Sequence, residues 1–294
     1  MPTVQHPSRD LSSPSTPDLV RNSAEVVGLT DTTGASPSPS DLVRNSTIET
    51  QLAHRTIRAY TDEAVDENTL ATLIEVARHA PSSSFYQSFT LIRIQDPAIR
   101  EVVYRSSGQP YVGGDKGELF VFVVDLSRIA RIREAAGLSL EPLERATLFI
   151  QGVEDTLLAA QNMVVAAESL GLGTCFLGSI GSDPDSLIKA LKLPQYTYPL
   201  VGMLVGHPAQ DPQLKPRLPR EVTVSVDTYP DFTSQEYRAL VADYDTTIQT
   251  YYDLREGGKR QDSYTAQMQV KPGMGGAEKT DLLRVLHDQG LCLR

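Results

Sequence analysis

Apolar positions along the chain change period several times, and the changes mark its elements. Between Asp66 and Ala80 they recur at helical spacing, with Leu70, Leu73, Ile74 and Ala77 on one face. Asp66 stands before that pattern as an N-cap, and Pro81 closes it. Ser46 and Glu49 form a capping-box pattern that opens a shorter helix near 47–53. Phe89 to Ile94 reads as a strand and Pro97 to Tyr104 as a helix. Leu119 to Val124 is apolar at every position, which suits an interior strand buried on both faces. The longest run, 143–170, sets Leu148, Val153, Leu157, Leu158, Met163, Val164 and Leu170 nearly all round a helix. Such a helix is expected to thread the core or to lie in a subunit interface. Gly171 and Gly173 stop it. Thr174 to Ile180 then reads as a buried strand entering a glycine turn, Pro184 to Leu191 as a helix, and Tyr198 to Val205 as a last apolar strand. Past Pro230, helices near 233–254 and 278–289 flank two polar stretches, 255–261 and 268–276, both expected to be mobile. The sum is an α+β fold with a long central helix.

The two ends of the chain differ in kind. Residues 1–46 hold no Phe, Tyr or Trp and are dense in Ser, Pro and Thr, so they bury too little to offset the entropy of ordering. A disordered Ser/Pro-rich tail is expected there. Its one repeat, Asp18-Leu19-Val20-Arg21-Asn22-Ser23 returning as Asp41-Leu42-Val43-Arg44-Asn45-Ser46, has too few copies for a solenoid and reads as a local duplication. A folded domain is expected over 47–294, with 231–294 as a helical extension. Charge narrows the function. A net charge of −10 and a pI near 5.0 argue against a broad nucleic-acid footprint. Two cysteines make neither a metal pattern nor a disulfide framework, which points to a reducing, cytoplasmic setting. No secretory signal is visible, and no apolar stretch approaches about 18 residues, so no membrane span is expected.

Several chemistries lack their motifs: no GxxxxGK[ST] phosphate loop, no strand-to-helix GxGxxG, no HExxH or other metal-like spacing, and no GxSxG. His207 before Pro208 reads as a loop histidine, His79 as a charge partner of a helix C-terminus, and Cys175 as inert core. Asp243 and Asp245 read as a solvated helix face. Hard chemistry then falls to a bound cofactor. What remains is a set of ligand-holding groups. His54-Arg55-Thr56-Ile57-Arg58 packs three basic side chains and a hydroxyl into five residues, and Lys215-Pro216-Arg217 repeats the theme far downstream. Arg forks and a Lys point charge, converging from two loops, make a clamp for a small phosphate. Ser82, Ser83, Ser84 and Gln87 suit a polyol chain, Gln109 an imide edge, and Gly178 a close backbone approach to a flat ring. Phosphate, polyol, imide and flat ring together describe FMN, although each piece serves equally well as a cap or turn residue.

From Ile48 onward the chain resembles the nitroreductase superfamily, above all its oxygen-insensitive NADPH nitroreductase and NADPH–flavin oxidoreductase branch. The resemblance is carried by His54-Arg55-Thr56-Ile57-Arg58-x-Tyr60-Thr61-Asp62-Glu63 and by Ser82-Ser83-Ser84-Phe85-x-Gln87. It continues in Ala160-Gln161-Asn162 leading to Glu168-Ser169-Leu170-Gly171-Leu172-Gly173, in Leu191-Lys192-Leu193-Pro194-Gln195 and in Leu214-Lys215-Pro216-Arg217-Leu218-Pro219. It implies an α+β sandwich built as an intertwined homodimer, with two FMN sites in the dimer interface. By position, it implies that His54, Arg55, Thr56, Lys215 and Arg217 hold the FMN phosphate and that Arg58 faces the pyrimidine edge of the ring. Ser82, Ser83 and Ser84 would contact the ribityl chain or ring edge, and Gln109 the pyrimidine end. The backbone of Phe176, Leu177, Gly178 and Ser179 would lie near N5. Arg255, with Lys259 and Arg260, would attract the 2′-phosphate of NADPH. Thr56 stands where the family has Ser, and Phe176 and Ser179 where Tyr and Gly are expected. The basic residue expected past that strand is missing at Gly181-Ser182, and residues 1–46 have no family counterpart. The implied activity passes two electrons from NADPH to a nitroaromatic, a quinone or free flavin in two alternating half-reactions. A flavin reductase feeding a partner enzyme and a non-catalytic FMN-binding protein are the alternatives.

Overall fold

A computed structural model describes residues 42–256, 262–273 and 281–294. Most of the expected tail therefore lies outside the described residues. Residues 44–294 form one compact unit. Its first helix, α1 (Ser46–Leu52), is capped by Asn45, whose side chain accepts from the Ile48 N–H. The expected Ser46–Glu49 box is thus displaced by one residue, because Asn is as good a cap as Ser and precedes it. α2 (Glu67–Arg78) is capped by Asp66 and buries Leu70, Leu73 and Ala77. β1 (Phe89–Ile94) matches the expected strand. α3 (Pro97–Ser107) starts behind an Asp96 cap and ends at Gly108, whose φ of 62° is the left-handed stop a helix C-terminus favours.

β2 (Glu118–Asp125) is followed by α4 (Ser127–Ala135), which the apolar pattern did not reveal since it buries only Ser127 and Ala130. α5 (Ala146–Ser169) is the long central helix. β3 (Gly173–Leu177) is shorter than expected, because Gly178–Ser182 already turns as a 3-10 helix. α6 (Pro184–Ala190) and β4 (Thr197–Gly206) follow. The C-terminal part holds α7 (Arg220–Thr223), α8 (Ser234–Leu240), α9 (Ala242–Glu256), α10 (Tyr264–Val270) and α11 (Leu282–Asp288). The single helix expected near 233–254 is two. The stretch expected to be mobile from 268 is helical through Val270, then a 3-10 turn over Lys271–Gly273. Asp245 is not a solvated ornament: its carboxylate accepts from the Thr265 N–H and hydroxyl at 2.9 and 2.5 Å, and so fixes the first turn of α10 against α9.

The four strands form one sheet in the order β1-β2-β4-β3, antiparallel at every pairing. Alternation along β2 sends Leu119, Val121 and Val123 to one face, where they meet Leu204, Leu177, Val103 of α3 and Leu187 of α6. Phe120 and Phe122 go to the other face, against Leu70 and Leu73 of α2 and Met163 and Val164 of α5. Helices therefore cover both faces, which is why β2 carries no polar alternation. Each such side chain contributes ~1.5–3 kcal/mol by leaving water. The central helix is buried along one side only. Ala159, Met163 and Ala167 pack against the sheet, while Ile150, Leu157 and Leu158 stay about half exposed in the single chain.

An irregular segment lines the sheet where the strands end. Residues 54–61 run along the free edge of β3, where the Ile57 N–H donates to the Thr174 carbonyl at 2.8 Å and Thr56 bridges Thr174 in parallel sense. Further on, the Thr61 N–H donates to the His207 carbonyl and the Ala209 N–H to the Ala59 carbonyl, both at 2.9 Å. Ile57 and Tyr60 are buried in the core, and the Tyr60 hydroxyl donates to the Ile57 carbonyl at 2.7 Å. The approach is so close that a Cβ on Gly173 would sit 2.5 Å from an Ile57 side-chain carbon. Gly173→Ala is expected to destabilise the protein by ~1–3 kcal/mol, the usual cost of overpacking, read as a lower urea midpoint at unchanged slope.

Candidate functional site

The edge segment buries Ile57 and Tyr60 and leaves the side chains around them partly exposed. Ile57 points into the core and its neighbours Thr56 and Arg58 point outward. Outward here means into a cleft of about 570 Å³, whose wall His54, Arg55, Thr56 and Arg58 share with Lys215 and Arg217. The two basic clusters, 157 residues apart between Arg58 and Lys215, do converge. The cause is the backbone pairing of residues 59–61 with 207–209, which delivers the loop after β4 alongside the edge segment. Tyr244 of α9 pins that loop from behind, donating its hydroxyl to the Pro216 carbonyl at 3.2 Å. Tyr251, one of the tyrosines on α9, closes the cleft wall.

The cleft is built for an anion. The Arg55 Nε is buried and has no hydrogen-bond partner among the described residues. A buried donor without an acceptor costs about 1–3 kcal/mol, more when charged, so it signals a ligand oxygen. The nearest carboxylate, Asp211, is 4.0 Å away and almost wholly exposed, too far to satisfy it. His54 directs its Nδ1 to Glu168 Oε1 at 2.7 Å, and the Thr174 hydroxyl donates to the same oxygen at 3.0 Å. The Arg58 guanidinium lies 5.9 Å from the centre of the Tyr111 ring, within range of a cation–π contact. Burial pushes the Tyr111 phenol above its ordinary range, with Cys175 adding to the effect and Arg58 opposing it. Cys175 is 2% exposed, and burial raises its thiol too, which fits a core residue rather than a nucleophile.

The remaining expected residues lie elsewhere in the chain. Ser82, Ser83 and Ser84 with Gln87 form a tight loop in which Ser84, Phe85 and Gln87 all adopt positive φ, at 48°, 60° and 50°. Buried Asp155 holds this loop by accepting from the Ser83 and Ser88 N–H groups at 2.7 and 3.0 Å, and Arg128 donates to the Gln87 and Phe89 carbonyls. Asp155 and Glu168 sit 13 residues apart on α5, so roughly 20 Å of helix, at 1.5 Å per residue, separates the serine loop from the basic cleft. Gln109 precedes the 3-10 turn Pro110–Val112 that carries Tyr111. Phe176 is partly exposed between buried Cys175 and Leu177, and Gly178 and Ser179 follow in the next turn; none of the four lines the cleft. Arg255 falls in the last turn of α9, one turn beyond Tyr251, and Lys259 and Arg260 lie outside the described residues. Among the described residues no group of His, Cys, Asp and Glu is placed to hold a metal ion, and no helix is long and apolar enough to cross a membrane.

Comparison with known proteins decides the family. The nitroreductase family model matches residues 52–207, and the model of that family's C-terminal domain matches 215–294. The chain belongs to the nitroreductase family. The FMN reductase (NADPH) of Bacillus subtilis is 39% identical over 224 residues, covering 76% of this chain and 89% of that one. The structure of the NfrA1 nitroreductase from B. subtilis superposes with a TM-score of 0.78 at 35% identity, covering 84% of this chain and all of that one. The NADPH:FMN oxidoreductase from Vibrio harveyi, complexed with NAD+, gives 0.75 at 31% identity over 85% of this chain and all of that one. The α+β nitroreductase fold expected from the motifs is thereby established.

Three participants escaped the sequence reading. Glu168 stood in a family motif without a role, Tyr111 carried no assignment, and Tyr251 lay in a tyrosine-rich helix with no other mark. Only the i, i+7 spacing of Tyr244 and Tyr251 hinted that α9 turns one face to the basic loop. If the cleft is an anion site, millimolar inorganic phosphate should raise the melting temperature of the flavin-stripped chain. Arg55→Met should abolish most of that increase, as differential scanning fluorimetry with and without phosphate would report.

Proposed function

We propose that this member of the nitroreductase family binds FMN and passes two electrons from NADPH to small acceptors: nitroaromatics, quinones or free flavin. The names of its relatives support the cofactor and the reductant, since the B. subtilis protein is an FMN reductase (NADPH) and the V. harveyi protein an NADPH:FMN oxidoreductase. The observation that carries the reading is the partnerless, buried Arg55 Nε in a cleft walled by basic side chains. The residues present fit the phosphate of FMN: His54, Arg55, Thr56, Lys215 and Arg217 would hold it. Arg58, next in the same wall, would face the pyrimidine edge, with Gln109 beside it and the Phe176–Ser179 backbone along the ring. When bound, FMN supplies the capacity to take up and release an electron pair. Arg58 stabilises negative charge at the ring edge, because a guanidinium held in place needs no reorganisation as that charge develops. Arg255, Lys259 and Arg260 attract the extra phosphate of NADPH.

The chain works as a homodimer in this reading. A single copy leaves the serine loop roughly 20 Å from the basic cleft and leaves Ile150, Leu157 and Leu158 of α5 half exposed. A second copy both covers that face and brings its own Ser82–Ser84 to the cleft. Cytoplasmic location is part of the same proposal, resting on two unpaired cysteines and a substrate, NADPH, found inside cells.

Purification without added cofactor should give a yellow protein. Anaerobic titration should bleach it with one equivalent of NADPH per flavin, and a quinone should restore the colour. A preparation that is colourless and stays so after reconstitution with FMN overturns the reading, and bound flavin that NADPH never bleaches leaves only flavin storage. Comparing turnover on free FMN with turnover on a nitroaromatic separates flavin reductase from nitroreductase. Arg255→Ala should raise KM for NADPH about two- to fivefold and leave KM for NADH unchanged, since only NADPH carries the extra phosphate and a single ion pair in water contributes ~0.2–1 kcal/mol; steady-state kinetics with both nucleotides checks it.

A further inference from the structure

Glu168 occupies an unusual place for a carboxylate. It lies in the last turn of α5, a turn with no basic residue, where the negative end of the helix dipole disfavours an acid. Its side chain is only 12% exposed. It stays there with two donors on one oxygen: the His54 ring through Nδ1 at 2.7 Å and the Thr174 hydroxyl at 3.0 Å. Thr174 is also the residue whose carbonyl anchors the basic segment through the Ile57 N–H. The tip of α5, the edge strand and the start of the basic segment therefore meet at one carboxylate.

We propose that Glu168 is a positioning residue for the phosphate of the cofactor, acting through His54. The inference rests on the reading of the cleft as the FMN phosphate site. With Nδ1 turned to Glu168, Nε2 is the ring nitrogen left for the cleft that His54 lines. A carboxylate on one side and a phosphate on the other both accept, and only the imidazolium donates from both nitrogens. Glu168 thus fixes the ring plane and takes the Nδ1 side of the ring, leaving Nε2 for the cleft, as a carboxylate behind a histidine ligand does at metal sites. The neighbouring arginines need no such partner because they are charged in any case. Thr174 shares the load by holding the carboxylate itself in place.

The test uses the full-length chain stripped of flavin and measures affinity for FMN and for riboflavin, which lacks the phosphate. Glu168→Gln keeps the shape and a hydrogen-bond acceptor but removes the charge. It should weaken FMN binding about tenfold, the size of one charge-assisted hydrogen bond, and leave riboflavin binding unchanged. In a His54→Ala background the same substitution should change FMN affinity less than about twofold, since residues that act through one another are not additive. Equal loss for FMN and riboflavin, or full additivity with His54→Ala, overturns the role of Glu168. A wild-type chain that binds both flavins equally well overturns the phosphate site itself, and that outcome is distinct from either.

Discussion

The whole arrangement depends on how an irregular segment is held against the edge of a sheet. The backbone bond from Ile57 to Thr174 sets the register, but a single hydrogen bond is worth only ~1 kcal/mol net. Most of the holding comes from Ile57 and Tyr60, which are nearly fully buried in the core and contribute ~1.5–3 kcal/mol each. Gly173 makes this possible, since any side chain there would occupy the space of Ile57. With Ile57 and Tyr60 buried, His54, Arg55, Thr56 and Arg58 are left to line the cleft, and the segment becomes a rack of polar and basic groups. Function follows from packing in this direct sense.

The chain is acidic overall, with a net charge of −10, yet it concentrates cations in one wall. Elsewhere its arginines serve the structure: Arg93 joins Glu67 and Glu118, and Arg100 donates to the carbonyls of Val112, Lys116 and Gly117 to shape the loop before β2. Burial lowers the proton affinity of Arg100, yet three carbonyls still receive its donors. Arg55 differs from these. Its Nε is buried without an acceptor, and that contrast within one molecule separates a binding arginine from a structural one.

The sequence made part of this legible. Asp66 as a cap, β1, the doubly buried β2 and the long helix α5 were all visible as local patterns, because a cap or an alternation involves residues close in the chain. The convergence of 54–58 with 215–217 was readable as chemistry, since two basic clusters on an acidic protein want a common anion. What stayed hidden depends on partners far away in sequence. Helix α4 buries too little to show a stripe, Asp245 looks solvated until Thr265 folds back onto it, and Glu168 acquires a role only when His54 arrives from 114 residues upstream. The serine loop is the sharpest case: its residues suit a polyol by their chemistry, but a single chain does not deliver them to the cleft.

Helix α5 touches both halves of that problem. Asp155 near its middle grips the serine loop, and Glu168 at its end grips His54. A helix is stiff and has a fixed pitch, so it acts as a ruler between the two grips. In the proposed homodimer, each ruler would calibrate two pockets at once, its own through Glu168 and its neighbour's through Asp155. Inserting or deleting a single residue between them would rotate one grip by about 100° relative to the other and spoil both pockets together. The length of this helix is then under as tight a constraint as the face that the second copy covers.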